Sequence, residues 1–119
     1  MTVCGMIEPK RGEIWEVDFD PQVAREIKKP RPAVVLSHEA MGRTGLRIVA
    51  PITNWKKEYE QYAWFVELNP DSTNKLSKPS GVDASQVKSV STDRFGSRIG
   101  TIKDTQIDLI VKAVRLCIE

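Results

Sequence analysis

Histidine is nearly absent from this sequence, with His38 its only example. An imidazole-built metal cluster and a ribonuclease mechanism that passes protons between two histidines are therefore excluded. Cysteine is almost as scarce: Cys4 and Cys117 lie near opposite ends, without a neighbouring Cys or His at metal-ligand spacing. Neither a zinc site nor a disulfide is expected, and Cys117 is expected to pack as a small hydrophobe within a helical pattern. No apolar run is long enough to span a bilayer, and the first twelve residues lack the pattern of a secretory leader, so no membrane association is expected and the cytoplasm is the expected compartment. A P-loop, a nucleophile elbow and a dinucleotide fingerprint are also missing, and Gly96-Ser97-Arg98-Ile99-Gly100 lacks the glycine spacing that cradles a phosphate. No metal or cofactor is expected.

What is present is the composition of an ordinary globular domain, 40% hydrophobic and 29% charged over 119 residues, which predicts one domain spanning 1–119. The net charge of +2 is too small to signal nucleic-acid binding, but its distribution is uneven. Within 22–31, Arg25, Lys28, Lys29 and Arg31 stand against Glu26 alone. Arg31 is held between Pro30 and Pro32, and each ring keeps its own and the preceding residue out of free rotation, so the guanidinium is presented from an extended backbone.

Hydrophobic periodicity predicts mostly antiparallel β-structure. Trp15, Val17 and Phe19 alternate with acids as a half-buried first strand, and the run 31–37 reads as a second. A turn at Gly42-Arg43-Thr44-Gly45 leads to a third strand over 46–53, with Pro51 near its end or at an edge, and Tyr62, Trp64, Val66 and Leu68 alternate along a fourth. The segment 69–81, rich in Pro, Ser, Asn and Asp, reads as a long mobile surface loop. Strands over 82–91 and 97–102 follow, separated by a helical turn at 92–95. A closing helix is expected with Asp104 as its cap and Ile107, Ile110, Val111, Val114, Cys117 and Ile118 on its apolar stripe. Leu109, Ala113 and Leu116 widen that stripe enough to suggest a second contact surface and a dimer. Six short strands and one helix indicate a small SH3-like antiparallel β-barrel with a C-terminal helix, mostly β within the α+β class.

With these elements in place, Arg11-Gly12-Glu13-Ile14-Trp15-Glu16-Val17-Asp18-Phe19-Asp20-Pro21, Arg31-Pro32-Ala33-Val34-Val35-Leu36-Ser37, Ala50-Pro51-Ile52-Thr53 and Gln86-Val87-Lys88-Ser89 together resemble the MazF/PemK family of toxins from type II toxin–antitoxin systems. The resemblance covers nearly the whole chain. It implies a homodimeric, metal-independent endoribonuclease that cleaves single-stranded RNA within short sequence motifs, inhibits translation and growth, and is neutralised by a cognate antitoxin. The arginine before Pro-Ala-Val and the threonine ending the third strand are catalytic in such proteins, which here implies Arg31 and Thr53, with Glu26 in the place of an assisting loop glutamate. The family's acid before Gln-Val is replaced by Ser85, and Asp83 stands two residues before it.

In that reading Arg31 clamps the charge that develops on phosphorus, since a guanidinium holds its proton at neutral pH. Thr53 donates its hydroxyl, and Glu26 is the candidate base. RNA contacts are expected from Lys28, Lys29, Asn54, Trp55, Lys56, Lys57, Gln86 and Lys88. The antitoxin is expected to lay an acidic flexible tail over the same cations. A non-catalytic module of the same fold that poisons a protein target such as gyrase is the alternative, with the helical surface as its lever, and an inactive relative retained for regulation is a third.

Overall fold

The computed structural model describes residues 7–19 and 30–119. Seven strands, β1 (Glu13–Val17), β2 (Arg31–Val35), β3 (Leu46–Asn54), β4 (Phe65–Leu68), β5 (Ser80–Asp83), β6 (Lys88–Ser91) and β7 (Phe95–Thr101), precede one helix, α1 (Asp104–Ile118). All pairings are antiparallel, in the order β4-β5-β3-β2-β1-β7, with β6 also on β3. The mostly β architecture with a C-terminal helix agrees with the sequence expectation, with one strand more than the six expected. Among the described residues no helix is long and apolar enough to cross a membrane.

The extra strand comes from a break in the stretch 82–91. Asp83 Oδ1 accepts from the Ser85 N–H at 3.0 Å and the Ser85 hydroxyl at 2.6 Å, folding Ala84–Gln86 into a 3₁₀ turn that separates β5 from β6. Both strands pair with the same edge of β3, Ile52 with Val82 and Val49 with Lys88, so the turn lies beside Ala50 and Pro51. Leu36 N–H donates to Ile48 O at 2.8 Å, which turns the even-numbered backbone groups of β3 toward β2 and leaves those of Pro51 facing the broken edge. A residue without an N–H thus sits where its neighbour leaves the ladder, at an edge position, one of the two places its sequence context suggested.

Both sheet faces are covered, which explains why 33–36 reads as a continuous apolar run. On one face Ile14, Val34, Ala50, Ile52, Leu68 and Val82 pack with Ile107 and Ile110 of α1; on the other, Trp15, Val17, Ala33, Val35, Val49, Val90 and Phe95 form a second cluster. β1 is accordingly buried on both sides and not half-buried, because Ile14 is as inaccessible as Val17.

Asp104 opens α1 and does not cap it; the preceding Lys103 N–H donates to the Gln106 side-chain oxygen at 2.9 Å. Buried positions end at Ala113, and Cys117 in the last turn is exposed, contrary to its expected packing. The segment expected to be a mobile loop is instead built around Asn74, which is fully buried. Its Oδ1 accepts from the N–H groups of Asp71 and Leu76, and its Nδ2 donates to Asn69 O. A Cβ at Gly100 would lie 2.5 Å from Asn74 O, so β7 needs a glycine there to meet this loop. The Asx-turn residues that resemble loop composition are here the means of ordering it.

Candidate active site

Arg31 opens β2, exposed, with its backbone paired to Val17 of β1. On its other side β2 pairs with β3 through Ala33 opposite Pro51, Val34 opposite Ala50 and Val35 opposite Val49. Continued by two residues, this register sets Arg31 opposite Thr53. Alternation places both side chains on the face that carries Ala33, Val35 and Val49, at the end where the apolar cluster gives way to solvent. The observed ladder ends at Ala33 and Pro51, so the two residues, 22 positions apart in the chain, stand just beyond the same end of the β2–β3 pairing. Neither side chain forms a hydrogen bond or ion pair with any described residue, so the guanidinium and the hydroxyl are both unengaged.

β5 extends this face. Gly81 pairs with Thr53, and two residues on, the register sets Asp83 on the same face, opposite Pro51. Asp83 is 8% exposed, and its Oδ2 accepts from Gln86 Nε2 at 2.9 Å. The turn that creates β6 therefore returns Ser85 and Gln86 to the Asp83 carboxylate. Counting positions along a straight strand separates Asp83 from the Gln-Val motif; the turn reunites them.

Trp55 lies over Gly81 so closely that a Cβ there would meet Trp55 Cε3 at 2.9 Å and Phe65 Cδ2 at 3.4 Å. From Trp55 the aromatics continue outward: Trp55 and Tyr59 meet edge-to-face at 5.7 Å, and Tyr59 stacks on Phe65 at 4.0 Å. Tyr62 stacks on Trp64 at 4.9 Å beside them. The arrangement combines an unpaired cation and hydroxyl with a buried carboxylate and a partly exposed aromatic shelf, the mixture that suits a single-stranded nucleic acid.

Of the residues expected to contact RNA, Trp55 belongs to this shelf, and Gln86 is exposed with its amide tied to Asp83. Lys88 is exposed opposite Val49 on the same face, its Nζ 5.6 Å from the centre of the Phe19 ring. Lys56 and Lys57 are exposed at the start of the 3₁₀ turn Lys57–Gln61. Asn54 is the exception: it pairs with Ser80, so alternation turns it to the face opposite Thr53. Glu26, Lys28 and Lys29 lie outside the described residues. Among the described residues no group of three or more His, Cys, Asp or Glu could hold a metal. The sequence reading missed Phe19, Tyr59 and Phe65. The available signal was the concentration of five of the chain's eight aromatics between 55 and 65.

Comparison with known proteins places this geometry in context. Residues 10–118 match the family model described as PemK-like, MazF-like toxin of type II toxin-antitoxin system. The endoribonuclease MazF9 of Mycobacterium tuberculosis (strain ATCC 25618 / H37Rv) is 32% identical over 114 residues, covering 90% of this chain and 93% of that protein. A crystal structure of MazF from Deinococcus radiodurans superposes with a TM-score of 0.70 at 26% identity, covering 91% of this chain and 94% of that one. A mycobacterial endoribonuclease in complex with its cognate antitoxin shares the fold, with a TM-score of 0.73 at 17% identity over 92% of this chain and 93% of that one.

Proposed function

We propose, for a chain that belongs to the PemK-like, MazF-like toxin family and is an endoribonuclease of a toxin–antitoxin system, that Arg31 and Thr53 form the centre of a metal-independent phosphodiester site. What supports this reading is the β2–β3 register, which carried two residues past its last pair brings Arg31 and Thr53 to one face, with neither side chain bonded to another described residue.

The ribose 2′-hydroxyl of single-stranded RNA lies beside the phosphate it attacks, so the enzyme needs to move protons and stabilise charge without supplying a nucleophile. The 2′-oxygen forms a bond to phosphorus as the bond from phosphorus to the 5′-oxygen breaks. The departing 5′-oxygen takes a proton from solvent water, so the products are a 2′,3′-cyclic phosphate and a 5′-hydroxyl. Arg31 donates two N–H groups to the non-bridging oxygens as negative charge grows on them. Thr53 donates its hydroxyl to the same group from the neighbouring strand. Glu26 accepts the 2′-hydroxyl proton, in keeping with its place in the Arg31 loop sequence. Asp83 is a positioning residue: it fixes Gln86, which reads a base edge, while Trp55 supplies a stacking plane. Lys88, Lys56 and Lys57 neutralise flanking phosphates, and Lys28 and Lys29 extend that field.

Sequence preference arises from the aromatic shelf and Gln86. A cognate antitoxin lays an acidic flexible segment over the same cations, and the exposed Leu109, Leu116 and Ile118 of α1 support homodimer formation. The purified chain, incubated in chelator, should cut single-stranded RNA to cyclic-phosphate and 5′-hydroxyl ends, and a 2′-deoxy residue at the cut site should block cleavage. Cleavage of that deoxy substrate would refute the reaction.

A further inference from the structure

The opposite end of the same two strands repeats the pattern of an arginine facing a hydroxyl. Leu36 N–H donates to Ile48 O, so the next register pair sets Ser37 opposite Arg47, on the face that carries Arg31 and Thr53. Arg47 and Thr53 are six positions apart on β3, about 20 Å of strand, so the two places are distinct. Both Arg47 and Ser37 are only 5% exposed, and both line a cavity of about 250 Å³.

Two independent features of this cavity are unexplained by packing. The Arg47 guanidinium is bonded only to main-chain carbonyls: Nε to Pro9 and one terminal nitrogen to Leu46, each at 2.8 Å, with longer contacts of 3.4 Å to Met41 and Gly42. No carboxylate among the described residues pairs with it. A buried cation without a counter-charge is costly, and a bound anion removes that cost. The second feature is Ser37 Oγ, buried and without a hydrogen-bond partner, an uncommon state for a hydroxyl.

The other groups in the lining are donors suited to the same ligand. His38 Nδ1 accepts from the Ala40 N–H at 3.0 Å, which makes Nε2 the N–H donor of the neutral ring. Arg11 donates one guanidinium nitrogen to Leu36 O and keeps its remaining N–H groups. The two carboxylates of the lining, Glu8 and Glu39, belong to exposed residues, whereas Arg47 and Ser37 are buried where electrostatic attraction is least screened.

We propose that this cavity is a second oxyanion site, distinct from the Arg31–Thr53 centre, that takes a phosphate group. A tetrahedral phosphate has enough acceptor oxygens to meet a guanidinium, a hydroxyl and an imidazole N–H at once. The site stands independently of the endoribonuclease reaction. Its source is free phosphate or the terminal phosphate of a mononucleotide, which present the same chemistry.

The test uses the full chain carrying Arg31→Ala, so that phosphate at the cleavage centre does not contribute. Inorganic phosphate and adenosine 5′-monophosphate are titrated separately at constant ionic strength, with chloride as the control, and backbone amide NMR shifts are followed. Saturable shifts of Ser37, His38 and Arg47 with either titrant, and none with chloride, are expected; the tighter titrant identifies the source. Adding Ser37→Ala should weaken binding roughly tenfold, the worth of one hydrogen bond to a charged acceptor. That variant removes an unpartnered hydroxyl without creating a polar orphan, so it should fold as well as its parent. No saturable shift at these residues with either titrant, or unchanged affinity after Ser37→Ala, would overturn the assignment.

Discussion

Replacing Gly81 by alanine would test whether the aromatic shelf is positioned by the strand beneath it. The new Cβ would lie 2.9 Å from Trp55 Cε3, closer than Cβ atoms approach in folded proteins, and 3.2 Å from Cζ3, tighter than most such contacts. Gly81 has no left-handed backbone conformation, so the substitution acts through the ring alone. Overpacking of this kind costs about 1–3 kcal/mol in a closed core. Trp55 is only half-buried and can tilt outward, which puts the cost near the lower end, about 1 kcal/mol. For a domain of this size that is a fall in Tm of about 4 °C. The tilt removes a stacking plane worth about 1–3 kcal/mol per base, so KM for a short RNA should rise at least about fivefold. Arg31 and Thr53 are untouched, and kcat should stay within about twofold. Gly96→Ala is the control, because its Cβ would meet nothing nearer than Glu16 O at 3.6 Å. Thermal denaturation, Trp fluorescence and steady-state cleavage of an oligonucleotide would check these outcomes. Unchanged fluorescence and KM in Gly81→Ala would refute the argument that Trp55 is held over the site by this glycine.

Asn74→Ala should destabilise the chain by about 3 kcal/mol in denaturant unfolding, because it leaves the N–H groups of Asp71 and Leu76 and the carbonyl of Asn69 without their partner. Hydrogen bonds from the Asn74 N–H and the Thr73 hydroxyl and N–H hold the Asp71 carboxyl below the usual carboxylate range. Its stabilising contribution is therefore present above the unfolded-state value and is lost as pH falls through the folded one, so Asp71→Asn should flatten the acid limb of a stability–pH curve. Cys117, exposed in the single chain between Leu116 and Ile118 of the proposed dimer surface, should react with an aromatic disulfide reagent in the folded chain carrying Cys4→Ser more slowly than in denaturant. A native rate equal to that in denaturant would show that no second surface covers the helix end.

Local signals made much of the fold legible. The unbroken apolar run of β2 follows from burial on both faces, and the closing helix follows from its 3.6-residue period. Arg31 and Thr53 were reachable through their motifs, but their opposition depends on strand register, which no single segment encodes. The division between β5 and β6 was hidden because it rests on one side chain: Asp83 caps a turn inside an otherwise strand-like run. The same turn explains why Asp83 seemed displaced from Gln86. Cys117 fits the helical stripe by spacing, yet burial along the helix ends at Ala113, and where a helix stops being covered is invisible to periodicity. Asn74 was obscured because the residues that order a buried Asx turn are the residues of mobile loops. The Ser37–Arg47 cavity has no sequence motif; register and an Arg47 guanidinium that no described carboxylate pairs with define it.

The central claim is that Arg31 and Thr53 act as one unit on one phosphate, and a double-mutant cycle in single-turnover RNA cleavage tests it most directly. Arg31→Ala should slow cleavage by about a thousandfold and the near-isosteric Thr53→Val by about a hundredfold, the range for losing a donor to a developing oxyanion. If the pair works as a unit, the double variant should be little slower than Arg31→Ala alone. Losses that multiply would show independent action at separate places, and an Arg31→Ala chain that cleaves at the unmodified rate would contradict the site altogether.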